Sequence, residues 1–388
     1  MKKLATLAVL LLLTVGSDDP HIVDPFAPVD RQTPQSEFVF NLYRSVVQSD
    51  PGKNVTVSPY GVGRILDLAR HGAAGETRTE IEQVLGYTEA VKWETRSDAT
   101  LTIADALWTQ QGLPILPEFL QTAREHFGSS VEQADFARNP NDAVRRINAW
   151  CSTSTKGKIP SLLDRLGSDT RLVLVNAIHF SADWKIKFNK LKTHDGDFTL
   201  LDGKKATTKL MSQESYAKYI ATDDTFALEL PYEDENYAMV ILLPKDLPWN
   251  PTNFVQWESE MTAQKFNFIC RSMRNTLVNI RMPKFTMESD IPLNGTLQQL
   301  GMRAAFSRDA NFSNITTAPG GLLVSDVHQK TIVEVDEEGT RAAAVTRSIG
   351  IGCSAGPPQP QVFHADRPFL YAIVKGDAIL FLGRFVKP

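Results

Sequence analysis

The sequence predicts an α+β fold built on large, mostly antiparallel or mixed sheets. Three observations predict it. Helical periodicities concentrate in the first half of the chain and strand-like runs in the second, the segregation expected of α+β rather than alternating α/β proteins. Residues 171–180 (RLVLVNAIHF) are almost continuously apolar, which marks a strand buried on both faces. The chain has 388 residues, 42% of them hydrophobic, and no internal repeat, enough for one large core.

Residues 35–48 place Val39, Leu42, Tyr43 and Val46 on one helical face. Ser58 is a good N-cap and Pro59 suits the first helical position, so a helix carrying Val62, Ile65, Leu66 and Ala69 starts there. Thr77 and Glu80 have capping-box spacing and open a short helix that stops at Gly86. A strand is predicted over 101–108 and helices over 117–127 and 142–155. Asp202-Gly203 is a hairpin turn between strands at 198–201 and 207–210. Further strands are predicted at 226–230, 237–243 and 277–285, then a helix at 291–300 and strands at 322–335, 369–374 and 378–385.

Net charge is −4 with no basic or acidic block, which gives no push toward nucleic acid or an anionic membrane. Residues 1–3 are basic and 4–15 apolar, too short to span a bilayer, with small residues around Gly16 and Ser17. Residues 1–16 therefore read as a signal peptide and 17–34 as a loose Asp/Pro-rich leader, and the protein is expected to be secreted. Of the three cysteines, Cys151 and Cys270 are expected to be buried and inert, while Cys353 lies in a loop. No Cys/His spacing suggests a metal site, and no cofactor is implied. Sequons begin at Asn54, Asn294, Asn311 and Asn314; Asn54 is read as structural and the other three as candidate glycosylation sites.

The stretch 334–360 (EVDEEGTRAAAVTRSIGIGCSAGPPQP) is far longer than the roughly two to six residues that usually join elements. One alternate set is Thr340, Ala342, Ala344, Thr346, Ser348, Gly350 and Gly352, all small. The other is Arg341, Ala343, Val345, Arg347, Ile349 and Ile351. Extended, this loop would have one face of small side chains and could become a central strand against a packed core; its composition alone also fits a flexible Ala/Gly linker.

From about residue 35 to 388 these landmarks resemble the serpin family. Residues 54–59 look like its Asn…Ser-Pro passage into the central helix. Gly75-Glu76-Thr77 with Thr79-Glu80-Ile81 looks like its next helix start. Leu174-Val175-Asn176-Ala177-Ile178-His179-Phe180 with Trp184 looks like the long strand of its main sheet. Val327-His328 and Val333-Glu334-Val335 look like the strand before its reactive loop, and Glu337-Glu338-Gly339-Thr340 with Ala342, Ala343 and Ala344 like its hinge. Residues 363–370 and 381–384 close the chain as in the family.

The resemblance implies a single domain over 35–388, with three β-sheets, about nine helices and an exposed reactive-centre loop at about 337–362. It implies an inhibitor of serine proteases rather than an enzyme, acting as a monomer. The loop is cut, an acyl-enzyme forms, and the loop inserts into the main sheet with the protease attached. Glu338, Gly339, Thr340, Arg341, Ala342, Ala343, Ala344, Val345 and Thr346 would form the hinge. Ser58, Asn176, Trp184 and His328 would form the shutter and breach through which the sheet opens. Counting from the hinge places the scissile bond between Cys353 and Ser354, which suits an elastase- or chymotrypsin-like protease. Gly61 departs from the small hydroxyl residue common near the shutter. Residues 86–101 leave little room for the family's heparin-binding helix, with Lys92 and Arg96 its only cations, so heparin activation is not expected. The alternatives are a non-inhibitory carrier or chaperone of the same family, or cross-class inhibition of a papain-like cysteine protease.

Overall fold

Prolines open five of the helices, where the missing backbone N–H costs nothing. In chain order the elements are β1 (Ile22–Val23), α1 (Pro34–Val47), β2 (Val55–Val57), α2 (Pro59–Gly72), α3 (Gly75–Leu85), β3 (Ala90–Val91), β4 (Leu101–Gln110), α4 (Pro117–Phe127), β5 (Ser130–Ala134) and α5 (Pro140–Ser154). Then follow β6 (Leu172–Phe180), β7 (His194–Thr199), β8 (Lys205–Ala221), β9 (Thr225–Pro231), β10 (Tyr237–Pro244), α6 (Pro251–Ser259), α7 (Ala263–Ser272), β11 (Arg274–Pro283) and β12 (Phe285–Pro292). The last are α8 (Asn294–Gln299), β13 (Val324–Val335), β14 (Gln361–His364), β15 (Phe369–Lys375) and β16 (Ala378–Phe385). This computed structural model describes residues 22–23, 34–48, 50–91, 93, 100–245, 251–339 and 359–388. The expected signal peptide, nearly all of the leader, Lys92, Arg96, the hinge from Thr340 to Thr346, Cys353 and Ser354 lie outside them.

The fold is the expected α+β arrangement, with three sheets and eight α-helices among the described residues. A five-stranded sheet runs β12-β13-β6-β4-β5. A nine-stranded sheet runs β14-β11-β8-β9-β10-β15-β16-β2, with β7 on β8. The third is only the parallel pair β1 and β3. All nine residues of β6 are buried, as its apolar run predicts. Helix α5 lays Ile147 and Cys151 over Val173, Val175 and Ala177 of β6. That burial pushes the Cys151 thiol up to about 12, so it is inert as a nucleophile at neutral pH. Cys270, on α7, is half-buried rather than buried.

Three local expectations change. The strand predicted at 277–285 is two strands meeting at Lys284, after Pro283: β11 lies in the large sheet and β12 in the five-stranded one. The helix predicted at 291–300 shrinks to α8, because Ile291 and Pro292 complete β12 opposite Gln329 and His328. The capping box does not form: α3 starts at Gly75, with Ala74 as a cap that makes no side-chain bond. Thr77 instead accepts a hydrogen bond from Asn311 N (2.9 Å), and Glu80 accepts from Arg303 N and Ala304 N at 2.7 and 2.6 Å. These two side chains fasten the helix to a distant segment. Helices α6 and α7 are additions to the sequence reading; Thr262 caps α7 by accepting from Lys265 N at 3.2 Å. Other readings hold closely, including Gly86 as a left-handed C-cap (φ +77°) and Gly203 (φ +79°) in the β7–β8 hairpin.

Candidate functional site: the β6–β13 seam and the hinge

At the centre of the five-stranded sheet, β6 and β13 lie side by side and parallel, paired from Leu172↔Val324 to Phe180↔Val333. Beyond Val335 the chain makes a tight turn, in which Asp336 and Gly339 exchange backbone hydrogen bonds at 3.1 and 3.3 Å. Gly339 has φ +118°, and a Cβ there would lie 2.3 Å from Trp184 N. Only glycine fits both the conformation and the approach. Trp184 N donates to Glu338 O at 2.9 Å, Trp184 Nε1 to Asp336 O at 2.9 Å, and Phe188 N to Glu337 O at 2.8 Å. The indole also stacks on Tyr232, with ring centroids 4.5 Å apart. Trp184 thus pins the turn at 336–339, the described part of the expected hinge, to the segment that follows β6.

Charge reinforces this attachment. Glu337 is buried and accepts from Lys284 Nζ and Thr193 Oγ1, both at 2.8 Å. Burial alone would raise its carboxyl, but these two partners hold it below the ordinary glutamate value. Glu338 meets Lys190 Nζ at 2.5 Å and Lys187 Nζ at 3.5 Å, and the Lys190 hydrogen bond leads in lowering its carboxyl.

A second cluster crosses the middle of the seam. Ser58 caps α2 by accepting from Gly61 N at 3.1 Å, and its hydroxyl donates to Leu380 O at 2.6 Å. Ser58 N donates to Gln329 Oε1 at 2.8 Å, and Gln329 Nε2 donates to Ser58 O at 2.9 Å and to Asn176 Oδ1 at 2.6 Å. Asn176 Nδ2 donates to Asp105 Oδ1 at 2.5 Å, and Asp105 Oδ2 receives Arg64 Nε at 2.8 Å. Arg64 ends the chain of bonds by donating to Phe127 O at 2.6 Å. Every member of this network is buried. A Cβ on Gly61 would lie 2.3 Å from Asn176 Oδ1, so the Asn176 amide occupies the room that a side chain at 61 would take.

The structure brings Ser58 and Asn176 together, and places Trp184 at the hinge end of the same seam. It does not bring His328 to them. His328 pairs through Nε2 with Asp290, and its Nδ1 lies 3.9 Å from Asp326. The partner across the seam is Gln329, because adjacent strand residues face opposite ways. The alternation Val327, Gln329, Thr331, Val333, Val335 carried that signal in the sequence. Nothing local marked Arg64, Asp105 or Lys284 as members of the site.

The sequons also separate. Asn54 is structural as expected: Nδ2 donates to Lys387 O at 2.7 Å and Oδ1 accepts from Val386 N at 2.7 Å. Asn294 Nδ2 is used too, donating to Ser325 O at 2.8 Å, and Asn314 Nδ2 donates to Ala73 O at 3.0 Å. Asn311 is exposed and uses only its side-chain oxygen, which accepts from Ser313 N at 3.2 Å. Among the described residues no group of three His, Cys, Asp or Glu is placed to hold a metal ion.

The family model for serpins (serine protease inhibitors) matches residues 33–388. The chain belongs to the serpin family. The leukocyte elastase inhibitor of Bos taurus is 34% identical over 373 residues, which cover 91% of this chain and 98% of that protein. The crystal structure of the thermophilic serpin tengpin in its native state superposes with a TM-score of 0.80 at 27% identity, covering 92% of this serpin and 93% of tengpin. Human thyroxine-binding globulin, solved in complex with its hormone, also gives 0.80 at 27% identity, covering 92% of this serpin and 98% of the globulin. Relatives of this chain thus include an elastase inhibitor and a thyroxine-binding globulin.

Proposed function

We propose that this serpin is a secreted, inhibitory suicide substrate for an elastase- or chymotrypsin-like serine protease. The observation that carries the reading is the direct parallel pairing of β6 and β13. A strand inserted between them would break one ladder and create two. The net gain is on the order of ten backbone hydrogen bonds at roughly 0.5–1.5 kcal/mol each, or about 10 kcal/mol before packing. That is comparable to a whole domain's stability, and it supplies a driving force for dragging an attached protease.

In this reading the protease attacks the bond between Cys353 and Ser354, and its serine becomes acylated by the new carboxyl end. The hinge turn at Gly339 then releases from Trp184, and Thr340, Ala342, Ala344 and Thr346 enter the sheet on its packed face. Their small side chains support rapid insertion, which must outrun deacylation. Cys353 is small and apolar-leaning, which suits a pocket that does not demand a basic residue. The identity to leukocyte elastase inhibitors favours the same class of target. Secretion rests on the basic-apolar-small order of residues 1–17.

The test mixes the protein with elastase, chymotrypsin and trypsin. An SDS-stable complex with elastase or chymotrypsin, and release of a fragment beginning at Ser354, is the expected result. Clean cleavage with no complex and no gain in thermal stability would instead support the carrier reading, for which the likeness to thyroxine-binding globulin is the observation.

A further inference from the structure

At the end of the β6–β13 seam remote from the hinge lies an open cleft of about 740 Å³, within the roughly 300–1,000 Å³ typical of small-molecule sites. The chain entering β6 supplies Arg165 and Arg171, and the side nearer β13 supplies Arg308, Gln298 and Ser325. Arg165 and Arg308 are exposed and make no hydrogen bond or ion pair among the described residues; Arg171 uses one guanidinium N–H, on Thr170 O at 3.0 Å. Two carboxylates share the lining. Asp326 faces the imidazole of His328 at 3.9 Å, whereas Asp169 has no cationic partner. Three guanidinium groups therefore face two carboxylates, which leaves the lining with a net charge of one positive. Phe306 and Leu323 supply an apolar part of the wall.

The seam is irregular at this end. The register slips between Val324 and Asp326, leaving Ser325 in a bulge. Its hydroxyl accepts from Arg171 N at 2.8 Å and its carbonyl from Asn294 Nδ2 at 2.8 Å. One side-chain hydrogen bond thus joins the start of β6 to the start of β13, beside three arginines with donors to spare. Guanidinium forks bind phosphate and carboxylate oxygens in pairs.

We propose that this cleft binds a compact polyanion, bearing phosphate or carboxylate groups, that bridges the β6 and β13 sides and holds the remote end of the seam closed. A ligand that binds only the closed sheet stabilises it by RT ln(1 + [L]/Kd). It must also slow any process that separates the two strands. Its effect on protease trapping rests on the inhibitory reading above; the binding itself does not.

Calorimetry and thermal unfolding with inorganic pyrophosphate, and separately with citrate, test the site at constant ionic strength, since screening acts over about 8–10 Å. Saturable binding and a rise in Tm are expected, with at least a tenfold loss of affinity in Arg165→Ala/Arg308→Ala; these exposed, unpartnered side chains can be removed without disturbing the fold. Binding by pyrophosphate alone assigns a phosphoryl ligand, and by citrate alone a carboxylate. No saturable heat with either, or equal affinity in the double variant, overturns the site. Hydrogen exchange tests the bridge. Amides of residues 172–175 and 324–327 should slow on binding in the wild type; unchanged exchange with bound ligand overturns it. The stoichiometry of elastase inhibition should rise at least twofold with whichever of the two anions binds, and only in the wild type. An unchanged stoichiometry overturns the effect on trapping. If no protease complex forms even without ligand, the inhibitory reading fails while the calorimetry and exchange still decide the site.

Discussion

Gln329 Nε2 donates to Asn176 Oδ1 at 2.6 Å, a hydrogen bond between buried side chains of β13 and β6, 153 positions apart. It crosses the boundary that an inserting strand would have to open in the mechanism proposed above. Asn176 also holds Asp105, which in turn holds Arg64. Separation of β6 from β13 therefore disturbs a buried polar chain that ends on a charge.

Asp105→Ala should be the most damaging change in that chain. It leaves the Arg64 guanidinium buried without its carboxylate and Asn176 Nδ2 without an acceptor. Breaking a buried pair from one side costs about 3–5 kcal/mol. The urea midpoint of the first unfolding transition should fall accordingly. A loss under about 1 kcal/mol would mean that water or a rearranged Asn176 satisfies Arg64.

Gly339→Ala should loosen the hinge end. The new Cβ meets Trp184 N and Ala182 O at 2.3 and 2.5 Å, and φ +118° strains any other residue. The expected cost is about 1–3 kcal/mol, together with a red shift of tryptophan fluorescence as Trp184 loses its burial. Wild-type fluorescence and stability would contradict the pinned turn.

His328 makes native stability fall in alkali. Burial disfavours the imidazolium, but Asp290 and Asp326 outweigh it and raise the folded pKa to about 9. A raised folded pKa gives stability that is fully present below the ordinary value near 6.5 and is lost as pH climbs through about 9. The contribution is on the order of 2 kcal/mol, given the partial exposure of Asp290. The difference in Tm between wild type and His328→Gln should be widest at pH 6 and close by pH 10. A pH-independent difference would remove the ion pair from the account.

In the proposed inhibitory mechanism, Thr340→Arg should convert inhibitor to substrate. The substitution places a long cation on the small-residue face, so insertion slows while cleavage continues. The stoichiometry of inhibition should rise several-fold at unchanged Tm of the uncleaved protein. An unchanged stoichiometry would contradict the alternation argument.

Much of this molecule was legible before folding. The run of β6, the Ser58-Pro59 start of α2, Gly86 and the Asp202-Gly203 turn all depend on neighbours a few residues away. The strand break at Lys284 was less legible, since an apolar run does not say which of two sheets each half will join. Thr77 and Glu80 had capping-box spacing but found their partners at 303–311 instead. Local spacing lists what a side chain can reach within its own helix; it is silent about a segment packed alongside.

By itself the sequence determined the α+β class, most element positions, the family motifs and the alternation of small residues that begins at Thr340. These follow from periodicity and local backbone chemistry, which act over a few residues. Only the tertiary structure decided that Gln329 rather than His328 meets Asn176, that Arg64 and Asp105 extend that contact, and that Lys284 and Trp184 hold Glu337 and Asp336 after β13. Hydrogen bonds and ion pairs act over about 3 Å and depend on direction. Their partners are chosen by strand register and packing, which bring together residues far apart in the chain.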